Sequence, residues 1–384
     1  MSPHTRVVRS SCRGCHGVCQ VLVHMDGEKI MRVSGDPESL TSRGFLCPKG
    51  AAAPEMLCHR GRLKFPLRRS GARGLNGWER ISWDAALSEM ADRFDRIRRE
   101  SGSEYLAVAQ GTGRPYTEFT HRFANAFGTP NFVNPGHLCY VPRVIASTIT
   151  LGGLPVSDIY GFGGKSPACV LNWGCNIVET GAADGMCGSM FKRAVEKAEK
   201  VIVFDPRRIG LAERADHWLQ LRPGTECALA LAMIHTVISE DRFDHDFVDN
   251  HSFGFDRLAE HIRPFTPEWA EPTTRVPAGQ IRSAARTYAM TKPASLQWGN
   301  GIDTGVNGFQ TARALLILMG LTGNIDGRNP APISFTAMIT STPIRERSRS
   351  SAIFAKCTRL EGGMIGYRGR PDLDGFSNRV KGSF

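Results

Sequence analysis

Four cysteines carry the clearest chemistry in this sequence, spaced Cys12-x2-Cys15-x3-Cys19-x27-Cys47. Three soft thiolates in one loop and a fourth delivered from beyond a hairpin are what a cubic iron-sulfur cluster needs at its corners. Other readings stay open on chemistry alone. Cys12-Arg13-Gly14-Cys15-His16 has the form of a c-type haem attachment site, which leaves Cys19 and Cys47 without a role. Four cysteines also suit zinc, although the paired Cys-x2-Cys spacing of zinc ribbons is absent. Inert structural cysteines are not expected at four positions of so polar a segment.

Further along, apolar runs end in groups suited to a phosphate-bearing ligand. Cys169-Val-Leu-Asn-Trp173 runs into Gly174-Cys175-Asn176, and Val201-Ile-Val-Phe204 into Asp205-Pro206-Arg207-Arg208. A buried strand opening into a Gly turn is where an α/β sheet presents backbone N-H groups to phosphate, and a second strand ending in a carboxylate and two guanidiniums strengthens that reading. Leu221-Arg222-Pro223-Gly224-Thr225-Glu226 reads locally as a helix start, with Thr225 as cap and Glu226 favouring the dipole. Cys139 on its own is a small buried thiol or a soft metal donor.

These residues need elements to position them. Val21 and Val23 before Asp26-Gly27, with Ile30 and Val33 after it, predict a β-hairpin carrying the cysteine loop. Ser82 can cap a helix whose Leu87, Met90, Phe94 and Ile97 recur at helical spacing, with Gly102 ending it. Strands are expected at Tyr105 to Ala109, Cys169 to Trp173, Val201 to Asp205 and Ser295 to Trp298. Helices are expected up to about Lys200, from Thr225 to Ser239, from Val276 to Met290, and from Phe309 to Leu321 before Gly323. Strand and helix alternating in this way predict α/β units on a parallel sheet.

The 384 residues, 41% hydrophobic and 22% charged, describe a folded protein of two or three domains at roughly 150 residues each. No apolar run is long enough to span a membrane. The amino terminus lacks both an apolar signal region and a paired-arginine leader, so a cytoplasmic chain with reduced thiols is expected. A net charge of +11 favours an anionic partner. Residues 327–384, with 10 basic and 4 acidic residues, account for +6 of it. That stretch has no sustained periodicity and is expected to be a solvated, partly disordered tail. Outside it, basic residues do not cluster with aromatics as nucleic-acid binding would require.

The run Cys12 to Gly50, closing on Gly44-Phe45-Leu46-Cys47-Pro48-Lys49-Gly50, resembles the cluster domain of the molybdopterin-guanine-dinucleotide oxidoreductases. These form the DMSO reductase family of molybdenum and tungsten enzymes, and the resemblance covers roughly residues 10 to 326. It implies a small β-rich 4Fe-4S domain over 1–62 and Rossmann-like α/β layers of the DMSO reductase fold over 63–326. It also implies a bis-pterin metal centre held by the guanine dinucleotide. By the family's pattern, Cys12, Cys15, Cys19 and Cys47 hold the cluster and Lys49 relays electrons between cluster and pterin. Cys139, in Asn134-Pro-Gly-His-Leu-Cys139-Tyr-Val-Pro-Arg143, matches the molybdenum or tungsten ligand. Gly174, Asn176, Asp205, Pro206, Arg207, Gly224 and Glu226 match the dinucleotide contacts, with Glu226 standing where the family usually has Asp. Trp298-Gly299-Asn300-Gly301 through Leu321-Thr322-Gly323-Asn324-Ile325-Asp326 matches one further segment.

The resemblance also bears on substrate and partner. Formate dehydrogenases of the family have His after the metal ligand, where Tyr140 stands; acetylene hydratase has Asp after its second cluster cysteine, where His16 stands. By elimination the expected substrate is an inorganic sulfur compound such as polysulfide or thiosulfate. The expected electron partner is an iron-sulfur subunit or ferredoxin. No family motif is visible after Asp326, so the carboxyl-terminal barrel domain is expected to be missing through truncation or frameshift. The alternative is an inactive fragment that serves only as a cluster-binding or scaffold protein.

Overall fold

A computed structural model describes residues 5–15, 17–111, 117–134, 139–153, 166–180 and 185–325. His16, residues 135–138, Asp326 and the stretch 327–384 lie outside the described residues.

At the amino end, β1 (Thr5–Ser11), β2 (Gln20–Asp26) and β3 (Lys29–Gly35) form an antiparallel sheet with β2 in the centre. The predicted hairpin is β2-β3, turning at Gly27, whose φ of 57° suits glycine. β1 adds a strand that the sequence pattern does not announce. The ends of β1 and β2 bracket the cysteine loop: the Cys12 N-H donates to the Cys19 carbonyl at 2.8 Å. β3 passes so close to the next loop that a Cβ on Gly35 would lie 2.1 Å from the Gly44 carbonyl oxygen. That crossing returns the chain toward the loop, and Cys47 then begins the short helix Pro48–Ala51.

Between this sheet and the main one lie small elements. β4 (Leu67–Arg69) pairs antiparallel with β5 (Trp78–Arg80), and β6 (Val108–Ala109) pairs parallel with β7 (Phe132–Val133). The expected strand from Tyr105 is shorter than the pattern implies, because Ser103–Tyr105 forms a 3₁₀ turn after Gly102. The helix Trp83–Glu100 is capped as predicted, the Ser82 side chain accepting from the Ala85 N-H. Its apolar face is only partly used. Phe94 packs against Phe123 and Phe127 with ring centroids 5.5 and 6.1 Å apart, while Leu87 and Met90 are 58% and 51% exposed.

The main sheet is parallel, with strands β8 (Cys169–Trp173), β9 (Lys200–Phe204), β10 (His217–Leu219) and β11 (Ala294–Trp298) in the spatial order β10-β9-β8-β11. Both faces are buried, and the side chains alternate between two cores as the period of 2 demands. Leu171, Trp173, Ile202 and Phe204 face a large core built with helices Glu226–Ser239, Ala278–Met290 and Gly308–Leu321. Val170, Val201 and Val203 face a smaller one containing Phe191, Ala194 and Val195 of the helix Gly185–Lys197. Trp173 and Phe204 stack at 4.1 Å across adjacent strands. The helix Val141–Leu151 joins the large core through Ala146 and packs on Gly308–Leu321. Three shorter helices, His245–His251, Phe255–Ile262 and Pro267–Thr274, complete that side. Among the described residues no helix is long and apolar enough to cross a membrane.

Candidate functional site

The four cysteines expected to hold a cluster come together. Cys19 is buried, while Cys12, Cys15 and Cys47 are partly exposed around it. The Gly17 N-H lies 3.4 Å from Cys15 Sγ. Gly50 brings the Cys47 helix against the loop, since a Cβ there would sit 3.5 Å from Cys12 Sγ. Burial pushes the Cys19 thiol up, and Cys15, Cys12 and Cys47 push it further in the same direction, as like charges would. A metal cation nearby would offset this and favour the Cys19 thiolate. Among the described residues no three Cys, His, Asp or Glu side chains converge tightly enough for a single metal ion. Lys49 is exposed on the first turn of the helix that Cys47 begins.

The remaining candidates gather elsewhere, because all four strands of the main sheet are parallel and end on the same edge. Gly174 and Asn176 follow β8, Asp205 to Arg207 follow β9, Gly224 and Glu226 follow β10, and Gly299 to Gly301 follow β11. The order β10-β9-β8-β11 makes β8 and β11 the strands where the direction of winding reverses, the crevice in which such sheets bind ligands. There the backbone is brought close. Gly174 has φ of 55°, and a Cβ on Gly299 would stand 2.4 Å from the Gly174 carbonyl oxygen. The Gly174 N-H donates to the Phe204 carbonyl at 2.8 Å and the Gly299 N-H to the Trp173 carbonyl at 3.1 Å.

Each polar candidate has a defined setting. Asp205 is buried and accepts the Arg207 N-H at 2.8 Å, a turn that leaves Arg207 and Arg208 exposed at the edge. Asn176 donates to Glu179 at 2.9 Å, and Glu179 also accepts the Gly210 N-H at 2.6 Å; these two bonds hold the Glu179 carboxyl below its usual range. Thr225 stands at the cap position of its helix, but its hydroxyl donates to the Arg222 carbonyl at 2.6 Å rather than capping. The Glu226 carboxylate accepts the Gly224 N-H at 3.2 Å and so steadies the turn.

Cys139 stands just before the helix Val141–Leu151, with Sγ 3.7 Å from Asn300 Oδ1 in the turn after β11. The two segments are also joined by Arg143, which pairs with Asp303 and donates to Asn300. Sequence reasoning placed Asn300 and Arg143 in motifs without giving them a role and passed over Asp303. No local pattern could signal a pair 160 residues apart. It also missed Asn172, fully buried in β8, whose amide donates to the Cys175 carbonyl at 2.8 Å. Asn172 Oδ1 and Trp173 Nε1 are buried with no hydrogen-bond partner among the described residues. The positive φ at Gly174, the close approach of the two Gly turns and the exposed edge guanidiniums fit a polar ligand there.

Residues 62–357 match the family described as molybdopterin oxidoreductase, and residues 5–62 match the molybdopterin oxidoreductase Fe4S4 domain. The chain belongs to the molybdopterin oxidoreductase family. Its cofactors, by that membership, are a 4Fe-4S cluster and molybdopterin guanine dinucleotide with molybdenum or tungsten, and the cysteine group and the sheet edge just described fit them. Among curated relatives, the chain is 31% identical to acetylene hydratase of Syntrophotalea acetylenica, over all of this chain and 52% of that one. It is 29% identical to the molybdopterin-containing subunit of thiosulfate reductase of Salmonella typhimurium, over 84% of this chain and 42% of the relative. The solved structure of acetylene hydratase from Pelobacter acetylenicus superposes with a TM-score of 0.71 at 31% identity, covering 84% of this chain and 44% of that one. This family member therefore has the mixed α/β fold of the DMSO reductase group with a β-rich cluster domain, and it spans about half the length of the relatives it matches.

Proposed function

We propose that this chain is the catalytic chain, or part of it, of a two-electron oxidoreductase acting on an inorganic sulfur compound. In this reading Cys12, Cys15, Cys19 and Cys47 hold the 4Fe-4S cluster and Cys139 is the protein ligand to molybdenum or tungsten. Gly174, Asn176, Asp205, Pro206, Arg207, Gly224 and Glu226 hold the dinucleotide. The observation that carries the reading is the meeting of Cys139 with Asn300 at the edge where β8 and β11 part, beside the Gly174-Gly299 contact.

A bound metal-pterin group would supply two-electron redox chemistry. The chain's own residues do the rest. Cys139 donates a soft thiolate, the Gly174 and Gly299 turns let backbone approach the ligand, Asp205 accepts from sugar or base, and Arg207 neutralises phosphate. Lys49 lies on the electron path between cluster and pterin. A sulfur substrate is favoured over formate because Tyr140 follows Cys139, and over hydration because His16 follows Cys15.

Cluster domain 1–62, α/β body 63–326 and basic segment 327–384 are the proposed divisions. Polypeptide outside these 384 residues completes the site of the second dinucleotide, and an iron-sulfur subunit or ferredoxin in the cytoplasm supplies electrons. Metal and pterin analysis of the purified protein tests the reading. Iron at about four per chain together with molybdenum or tungsten and pterin is expected. Iron alone would sink the enzyme reading and leave a cluster-carrying protein.

A further inference from the structure

The Asp303 side chain has no solvent exposure, and a buried carboxylate must be paired to be tolerated. Its partner is Arg143. Asp303 Oδ1 accepts the Arg143 backbone N-H at 3.2 Å, and Oδ2 accepts Nε at 2.7 Å and also Nη2. The same Nη2 donates to Asn300 Oδ1 at 3.2 Å, and that oxygen faces Cys139 Sγ at 3.7 Å. The helix Val141–Leu151 begins at Tyr140 with no side-chain cap, so the N-H groups of its first turn need outside partners. Asp303 supplies one of them. A single carboxylate thus satisfies the start of this helix and aligns a planar guanidinium, which in turn fixes the Asn300 amide.

We propose that Asp303 and Arg143 are positioning residues that lock Cys139 against the turn after β11. Neither touches a reacting atom; both act through Asn300 and through the first turn of the helix. A buried ion pair adds little net stability compared with well-packed apolar side chains. The geometry it imposes on the thiol is what the pair contributes. The functional consequence rests on the reading of Cys139 as the metal ligand, whereas the clamp itself does not.

Iodoacetamide labelling of the metal-free full chain, resolved by mass spectrometry for each cysteine, tests the clamp. Fully buried Cys169 serves as the internal gauge of global loosening. In Asp303→Asn, labelling of Cys139 is expected to rise roughly ten-fold, the scale of one decade in local opening, while Cys169 stays protected. The double variant Arg143→Leu/Asp303→Leu, which leaves no unpaired charge, should return the urea midpoint toward the parent value and keep Cys139 overexposed. Cys139 labelling unchanged in both variants, or rising only in step with Cys169, would overturn the proposal. Metal content separates the clamp from the reading beneath it. If Cys139→Ala retains molybdenum or tungsten, the ligand assignment fails while the labelling result still decides the clamp.

Discussion

Replacing Gly299 with alanine probes the contact that builds the sheet-edge crevice. Gly299 has φ of −118° and ψ of −174°, an extended conformation open to any residue, so the substitution carries no backbone strain. The obstacle is space. The new Cβ would lie 2.4 Å from the Gly174 carbonyl oxygen and 2.9 Å from Cys175 Cα, both backbone atoms. Carbon atoms in side chains essentially never approach closer than 3.0 Å, so the turn must retreat by at least 0.6 Å, the difference from 2.4 Å. Neither side can rotate away, because the Gly174 N-H is bonded to β9 and the Gly299 N-H to β8. Overpacking of this kind costs about 1–3 kcal/mol, and a backbone-to-backbone clash belongs at the upper end. At roughly 2–4 °C per kcal/mol for a domain of this size, melting should fall by about 6–12 °C. Gly279→Ala is the control: it sits exposed in the helix Ala278–Met290 with open space around its Cβ, so alanine should stabilise by up to about 1 kcal/mol. Thermal unfolding followed by circular dichroism compares the three proteins. Gly299→Ala melting with the parent protein would refute the close approach of the two turns.

Other outcomes follow from the same structure. Cys15→Ser should abolish the visible absorbance of an iron-sulfur cluster and reduce bound iron; a spectrum that survives unchanged would remove Cys15 from the ligand set. Glu240 is held by Arg286 and Arg242, whose hydrogen bonds pull its carboxyl down to about 2. A depressed carboxyl contributes stability that is present above its ordinary pKa of 4.5 and lost as pH falls toward 2. The urea midpoints of parent and Glu240→Gln should therefore differ at pH 6 and converge near pH 2, and a gap independent of pH would contradict the pairing. Leu316→Ala, at a fully buried position of the helix Gly308–Leu321, should cost about 2–5 kcal/mol, whereas Leu87→Ala at an exposed position of the helix Trp83–Glu100 should stay within about 0.5 kcal/mol. Equal losses in urea denaturation would show that Leu87 is covered in solution.

What could be read from the sequence was what local pattern encodes. β8 was legible to the residue, Cys169–Trp173, because a short apolar run bounded by a Gly turn is how a strand buried on both faces is written. The cap at Ser82 and the apolar helix ending before Gly323 were legible for similar reasons. β1 was not: Arg6, Val7, Val8 and Arg9 are all exposed, so no alternation marks a buried face. The helix Pro267–Thr274 was hidden by Pro272 inside it, and its neighbours by their shortness. For the site, the groups after β8, β9 and β11 were legible because each follows an apolar run, whereas β10, a half-buried three-residue strand before Gly224 and Glu226, was not. The Arg143-Asp303 pair was not, because burial of a carboxylate at position 303 has meaning only once β11 lies beside β8.

Strand order also sets the sequence in which the two proposed cofactor sites come into being as the chain is made. All four cluster cysteines have been synthesised once Cys47 is in place, and the sheet that brackets them is purely local. The crevice between β8 and β11 cannot exist until Asp303 has emerged, because one wall belongs to β11, the last of the described strands. If these are the two cofactor sites, the cysteine group is complete while the crevice still lacks one wall. On the proposed assignment, a dinucleotide can seat there only after β11 has paired with β8.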